Sequence, residues 1–267
     1  MKKYLFLAFV FFIGSCKTVP LTGRKQLNLI PSNEIQSLSN DQYRQVMNES
    51  QLSNNTQWSN WVNEVGNDIK NGVEAYLRQE GQLELIEDYN WEFNLIKDDA
   101  TVNAWAMPGG KVAFYTGIMP ICASKEGVAV VMGHEVAHAI ARHGNERMSQ
   151  GLVQQLGGVA LAVAVRDKPA ETQALYMSAY GVASQVGVLL PFSRTHESEA
   201  DHLGLIFMAM AGYDPHEAPK FWQRMESQSG GAQPPEFLST HPSHTTRINN
   251  LNKWMPEAMK YYRPSAN

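Results

Sequence analysis

GHEVAH, at residues 133–138, is the most informative stretch of this 267-residue sequence. On a helix, residues four apart lie on one face, about 6 Å apart along the axis. His134 and His138 can therefore each direct a ring nitrogen at one zinc ion. Glu135 lies on the adjacent edge of the same helix, where it can take a proton from a water molecule. The stretch predicts a zinc-dependent hydrolytic site.

The remaining metal ligand must come from elsewhere, because catalytic zinc usually has three protein ligands and one open position. The best source is SRTHESEADH, at residues 193–202. Spacing alone leaves His196, Glu197 and Glu199 open as the third ligand. Glu197 and Asp201 share a helical face, which suits one carboxylate on the metal and one that orients a ligand histidine.

The composition is that of a globular protein. The chain is 43% hydrophobic and 18% charged, which excludes disordered, collagen-like and coiled-coil classes. Its length suits one large domain or two small ones. The net charge of −4, without a long basic run, argues against a nucleic-acid partner. Two cysteines are too few for a disulfide scaffold.

The first 16 residues, MKKYLFLAFVFFIGSC, have the layout of a secretory signal: two lysines, an apolar run and small residues. The run of about ten apolar residues is too short to span a bilayer. Its ending resembles the lipobox of bacterial lipoproteins, which implies that Cys16 is acylated and begins the mature chain on a membrane. The alternative is a plain signal peptide with an incidental cysteine. We expect a signal peptide at 1–15 and an extended, lipidated tether at 16–32.

Hydrophobic periodicity predicts an α+β fold, mainly α, with a small sheet directly before the GHEVAH helix. Residues 146–165 are apolar almost all round, which favours a buried core helix, with a membrane-touching surface as the alternative. Residues 227–243 predict a mobile loop. Helices are predicted at 34–47, from 56 to about 77, and at 125–142, 146–165, 171–190, 194–211 and 215–226. Strands are predicted at 91–96, 102–107 and 111–116.

Together, GHEVAH, SRTHESEADHLG (193–204) and STHPSHTTRI (239–248) resemble the HtpX-like and CAAX-prenyl-protease-like zinc metallopeptidases, which include the Oma-type enzymes. The resemblance extends to VPLTGRKQLNLIP (19–31) and NAWAMPGGKVAFYTGI (103–118). It implies a zincin-like metallopeptidase domain over 33–265 with one zinc ion per chain. It also implies that Glu197 is the third ligand, within a Glu-x-x-x-Asp motif that ends at Asp201.

The same resemblance implies roles around the substrate. The strand at Asn103, Ala104 and Trp105 would pair with an extended peptide through main-chain hydrogen bonds. Core packing is an equal alternative for Trp105. His241 and Arg247 would contact the scissile carbonyl or its oxyanion. In some relatives, the histidine instead covers or ligates the zinc in a resting state.

The expected function is that of a zinc metalloendopeptidase acting on misfolded or unassembled envelope proteins. The expected location is the bacterial cell envelope, lipid-anchored and facing the periplasm. Lys17 follows the acylated cysteine; an aspartate at that position favours inner-membrane retention in enteric bacteria, so its absence favours the outer membrane. Two alternatives are a zinc-stabilised chaperone or assembly factor with little proteolysis, and a hydrolase of non-peptide substrates. Glu135 favours an enzyme, because a pure binding protein needs no carboxylate beside the metal.

Overall fold

A computed structural model describes residues 16–185, 190–228, 237–238, 241 and 245–264. The predicted signal peptide and most of the predicted loop at 227–243 lie outside the described residues, as does the side chain of Cys16. The strands are β1 (Cys16–Thr18), β2 (Lys25–Leu27), β3 (Glu92–Ile96), β4 (Ala104–Met107) and β5 (Lys111–Tyr115). The helices are α1 (Ser32–Glu49), α2 (Thr56–Gln79), α3 (Met119–Cys122), α4 (Lys125–Ile140), α5 (His143–Val165), α6 (Ala170–Ser184), α7 (Leu190–Met210), α8 (Glu217–Ser227) and α9 (Thr245–Tyr261).

The chain divides into two compact units. Unit 1 holds the described residues within 1–34 and 142–196, and unit 2 holds those within 35–141 and 197–267. Helices dominate, and a three-stranded sheet lies before α4, so the predicted fold class is confirmed. α9 was not predicted, because Pro256 lies inside it and proline usually ends a helix.

The sheet of unit 2 has the order β3-β5-β4. β3 runs parallel to β5, while β4 and β5 form an antiparallel hairpin that pairs Ala106 with Val112. The turn between them uses Gly109 and Gly110, both with positive φ. Within the described chain, β4 is therefore an edge strand, and it packs against α4.

Helix α2 forms one wall of the core of unit 2. Its side chains at helical spacing are fully buried against β3 and α4. Asn55 caps the helix by accepting a hydrogen bond from the backbone N–H of Trp58. The buried apolar positions are Val62, Val65, Ile69, Val73 and Leu77.

Helix α4, which carries GHEVAH, is the central helix of unit 2. Ser124 caps its N-terminus by accepting a hydrogen bond from the N–H of Gly127. Almost every residue from Gly127 to Ile140 is buried. A Cβ at Gly133 would lie 2.9 Å from the backbone oxygen of Gly204 in α7. Two glycines therefore let the backbones of α4 and α7 approach more closely than side chains would permit.

In unit 1, residues 16–32 differ from the extended tether that we expected. β1 and β2 form an antiparallel pair, and β2 packs against α5. Arg24 donates to both carboxylate oxygens of Glu146 in α5, at 2.8 and 2.7 Å. The amide of Asn145 donates to the carbonyl of Ile30, at 2.8 Å. Polar contacts that the hydropathy pattern does not reveal thus order this segment.

Helices α5 and α6 pack against each other as an antiparallel pair in unit 1. The expectation of a buried core helix at 146–165 is wrong, because the apolar side chains of α5 are exposed. Among the described residues, α5 is the helix long and apolar enough to cross a membrane. Only 17% of its most apolar stretch of 18 residues is buried. The composition of α5 predicts that its side chains are surrounded by apolar groups. The rest of the chain does not cover them.

Candidate metal centre

Helix α4 presents the histidine pair as the motif predicts. Nε2 of His134 and Nε2 of His138 lie 3.1 Å apart. His134 is buried, while the side chain of His138 retains 12% of its exposure. One turn of a straight helix therefore brings both ring nitrogens to a single point.

Helix α7 supplies a carboxylate to the same point. Oε2 of Glu197 lies 3.4 Å from Nε2 of His134, and Oε1 lies 3.4 Å from Nε2 of His138. Of the three candidates that spacing left open, the structure brings Glu197 to the histidines. His196 instead contacts Glu146 in unit 1, with its Nε2 2.8 Å from a carboxylate oxygen.

Asp201 lies behind the histidine pair, one turn after Glu197. Its Oδ1 is 2.9 Å from Nδ1 of His134. A hydrogen bond to Nδ1 leaves Nε2 of that ring with a lone pair for a metal. Burial alone would lower the pKa of His134, but hydrogen bonds to Asp201 and Glu197 raise it to about 9. The same carboxylates that retain a proton here would stabilise a bound cation.

His241 is the fourth member of the cluster. Its Nδ1 lies 3.1 Å from Nε2 of His134 and 3.1 Å from each carboxylate oxygen of Glu197. Ligand atoms of His134, His138, Glu197 and His241 all lie within 4.8 Å of one another. This is a donor set of three nitrogens and one carboxylate, the ligand types that zinc favours.

The separations of these atoms also fit a zinc ion. Donors around a tetrahedral zinc with bonds of about 2.0–2.1 Å lie about 3.3 Å apart. The distances of 3.1 and 3.4 Å among the four side chains bracket that value. Ordinary packing of a protein core does not require the nitrogen atoms of buried histidines and the oxygen atoms of a carboxylate to meet at this spacing.

Glu135 faces the cluster without belonging to it. Its Oε1 makes no hydrogen bond within the described chain and lies 3.3 Å from Nε2 of His241. Burial raises the pKa of this carboxyl group, and the nearby His241, His134 and backbone N–H of Ala106 oppose that shift. A buried carboxylate with a raised pKa is suited to accept a proton near neutral pH.

Arg247, in α9, is expected from the resemblance to contact substrate, and in the structure its side chain contacts Asp201 and Glu197. Its Nε donates to Asp201 at 2.7 Å, and its Nη2 donates to Glu197 at 2.9 Å. Nη1 donates to the backbone oxygen of His241 at 3.3 Å. The buried guanidinium therefore contacts both carboxylates and the backbone of the fourth cluster residue.

Trp222, in α8, completes this support, and our sequence reasoning missed it. The guanidinium carbon of Arg247 lies 3.6 Å from the centroid of the indole ring. The opposing ring of Phe237 is stacked on the indole at 5.6 Å. Nothing in a single sequence distinguishes this buried tryptophan from others in a core.

The predicted substrate strand lies beside Glu135, because the backbone N–H of Ala106 donates a hydrogen bond to the carboxyl group of Glu135. Ala104 and Asn103 are buried, and Trp105 is half-buried. The indole N–H of Trp105 donates to the hydroxyl of Tyr115 at 3.3 Å. Both expectations for Trp105, packing and proximity to substrate, remain compatible with this position.

The sequence profile of peptidase family M48 matches residues 67–255, a range that contains every member of the metal cluster. The chain belongs to this family. It is similar to the mitochondrial metalloendopeptidase OMA1 of Saccharomyces cerevisiae, at 31% identity over 99% of this chain and 77% of that protein. The OMA1 of Schizosaccharomyces pombe is 32% identical over 93% of this chain and 69% of that protein. The β-barrel assembly-enhancing protease of Escherichia coli is 25% identical over 92% of this chain and 49% of that protein.

Membership of M48 confirms three predictions: the family resemblance, the metalloendopeptidase class and the zinc cofactor. The roles of individual residues stay predictions. Zinc fits the cluster because the donor types and their separations match its preferences. The four residues of the candidate cluster all lie in unit 2.

Proposed function

We propose that this M48 peptidase hydrolyses peptide bonds in misfolded or unassembled proteins of a bacterial cell envelope. The observation that carries the proposal is Glu135, a buried carboxylate beside a zinc-type donor set. In this proposal, His134, His138 and Glu197 hold the zinc, and Asp201 orients His134. When bound, zinc supplies Lewis-acid chemistry that activates water and polarises a carbonyl.

Glu135 moves the proton. Its carboxylate accepts a proton from the attacking water, because burial raises its pKa toward the range of an effective general base. The protonated side chain then donates to the nitrogen of the departing amine. Since Glu135 is not counted among the ligands, its replacement by glutamine retains the metal and removes the proton acceptor.

Arg247 positions the carboxylates. Its guanidinium donates to Asp201 and Glu197 while lying against Trp222, so its donor groups face the ligands. One positive charge between two buried carboxylates reduces the cost of burying them. This positioning role replaces the direct contact with the scissile carbonyl that the family resemblance implied.

Extended substrate binds along β4, which carries Ala104 and Trp105 and directly follows Asn103. An edge strand offers main-chain hydrogen bonds with little sequence preference, which suits unfolded substrates. The contact of Ala106 with Glu135 supports this assignment, because a peptide paired with the strand would pass close to the proton acceptor.

His241 closes the centre at rest. The distance from its Nδ1 to Nε2 of His134 is 3.1 Å, the same as the distance between the Nε2 atoms of His134 and His138. Its Nε2 lies 3.3 Å from Oε1 of Glu135. A zinc site with four protein ligands is closed, whereas a catalytic site keeps a position for water. His241 therefore exchanges with water and substrate when hydrolysis begins.

The location follows from the first 16 residues. A basic start, an apolar run and the IGSC ending support lipidation at Cys16 and an envelope location. Lys17 favours the outer membrane over the inner one. Mass spectrometry of the mature N-terminus tests this: we expect a diacylated or triacylated Cys16, and any other first residue contradicts it.

The test of hydrolysis compares wild type with Glu135→Gln on an unfolded protein such as casein. We expect Glu135→Gln to bind about one zinc ion per chain and to lose activity by about 10²–10⁴-fold. Glu126→Gln, a change of the same type in the first turn of α4, serves as the control and retains activity. Undiminished cleavage by Glu135→Gln with zinc bound would overturn the role of Glu135, and absence of cleavage by the zinc-loaded wild type would favour a chaperone function.

A further inference from the structure

The second unusual surface of the chain lies on α5 and α6. Of the thirteen large apolar side chains that are exposed in the described chain, ten belong to these two helices. Leu156 is 67% exposed, Leu175 69% and Val182 62%. The others are Met148, Leu152, Val153, Val159, Val163, Tyr176 and Met177. Single exposed apolar side chains are normal on a protein surface, whereas a cluster of them marks an interaction surface.

The exposed side chains form a stripe on α5. Met148, Leu152, Leu156, Val159 and Val163 follow one another at intervals of three or four residues, which places them on one helical face. Residues 148–165 contain no charged side chain, and neither do residues 172–184 of α6. A helix of 18 residues is about 27 Å long, close to the roughly 30 Å of a bilayer hydrocarbon core.

Charges occur at the ends of the hairpin. Arg147 precedes the charge-free part of α5, and Arg166, Asp167 and Lys168 form the connection to α6. Both Arg166 and Asp167 are exposed, as are Arg147 and Lys168. Membrane-embedded elements have this distribution, with charged residues at the headgroup level and apolar residues between.

The two helices satisfy their polar groups against each other. The hydroxyl of Tyr180 donates to the backbone oxygen of Gln154 at 2.8 Å. The amide of Gln154 donates to the hydroxyl of Ser184 at 2.7 Å. Gly157 lies directly against Tyr180, where a Cβ would clash with the tyrosine hydroxyl. Close packing at a small residue with internal hydrogen bonds is how helices associate within lipid.

We propose that the α5–α6 hairpin inserts its apolar face into the hydrocarbon of a lipid bilayer. A protein partner would require a polar rim around the apolar patch, and residues 148–165 of α5 instead carry no charged side chain. A helix lying in the headgroup layer has a strongly charged face, which α5 also lacks. The proposal does not depend on zinc, on peptide hydrolysis or on lipidation at Cys16.

The test places an environment-sensitive fluorophore on the hairpin. In the full-length chain with Cys16→Ser, Cys122 is the remaining thiol; it is buried, and burial raises its pKa to about 12, so it resists labelling. NBD is attached at Leu156→Cys, or at Leu38→Cys as the matched control, since Leu38 in α1 is 60% exposed. The label reports its own surroundings, so any other attachment to the membrane affects both proteins equally.

With phosphatidylcholine vesicles, we expect the emission at position 156 to shift to the blue. We also expect lipids brominated on their acyl chains to quench most of that signal, while the label at 38 stays solvent-like. The pair Leu156→Glu and Val159→Glu, with the label at Val163→Cys, should lose that quenching and keep its circular dichroism spectrum. The pair Leu38→Glu and Leu83→Glu serves as its control and leaves quenching at 163 unchanged, since Leu83 is also exposed.

Three results would overturn the proposal. The first is a label at 156 that stays solvent-like in the presence of vesicles. A blue shift without vesicles, together with elution at twice the monomer mass, would identify a second copy of the chain as the occupant. A larger shift with reduced, unfolded casein than with vesicles would identify the hairpin as a polypeptide-binding surface.

Discussion

The metal centre and the α5–α6 hairpin depart in opposite directions from the usual distribution of side chains. At the metal centre, Glu197, Asp201 and Arg247 are buried. On the hairpin, large apolar groups face outward. Buried ionised groups need partners of opposite charge, and the centre supplies them within hydrogen-bond distance. The outer face of the hairpin carries exposed apolar side chains instead of such a network, so groups outside the described chain must cover it. A polar network therefore points to a ligand held inside the chain, and an apolar face points to one outside it.

Removing a ligand from the centre should have the largest effect. His138→Ala should reduce bound zinc from about one ion per chain to nearly none, and casein cleavage should disappear with it, because the change removes one of the three side chains that hold the ion. Metal analysis after gel filtration provides the measurement. Glu199→Gln is the matched control on α7, and it should retain both zinc and activity. Full zinc occupancy in His138→Ala would show that the cluster is not the metal site.

Weakening the support of a ligand should have a smaller effect. Asp201→Asn removes the negative charge that stabilises and orients His134. Burial would raise the pKa of Asp201, but Arg247 and His134 lower it below its usual value. Loss of such a partner typically costs 10–100-fold in metal affinity. Competition with a chelator measures that affinity. His202→Asn is the control, because His202 contacts Glu257 at 2.8 Å rather than the centre. Equal affinity in Asp201→Asn and wild type would remove Asp201 from the site.

Releasing the fourth cluster residue should change activity by a few fold and in the opposite direction. His241→Ala removes the ring that occupies the donor set at rest, so casein cleavage should rise while zinc stays bound. The comparison requires initial rates at equal zinc occupancy. A loss of about 10²–10³-fold would instead support the oxyanion role that the family resemblance implied.

The smallest effect is expected on the hairpin. Leu156→Gln should change the free energy of unfolding in urea by no more than about 0.5 kcal/mol, because the side chain is exposed in the folded chain. Leu203→Ala, in the buried part of α7, should cost about 2–5 kcal/mol. A large loss in Leu156→Gln would show that the face is covered within the folded protein.

The sequence predicted the features that depend on local spacing. The i, i+4 rule placed His134 and His138 together, and alternation located the strands of the sheet. Spacing could not choose among His196, Glu197 and Glu199, since that choice depends on how α7 packs on α4. It also could not reveal that Arg247 contacts Asp201, because the contact joins residues 46 positions apart. For α5, periodicity reported an apolar helix, but burial is a property of packing and does not follow from composition.

The contact between Gly133 and Gly204 has a consequence for the choice of metal. A Cβ at position 204 would lie 3.0 Å from the backbone nitrogen of His134, so alanine there would require the two helices to separate. Separation of the helices would move Glu197 away from the histidines and widen the space among the donors. The ionic radius that the centre accepts is thus set partly by two missing methyl groups in the backbone interface. A lineage of such chains could come to favour a larger ion without altering any residue that binds it.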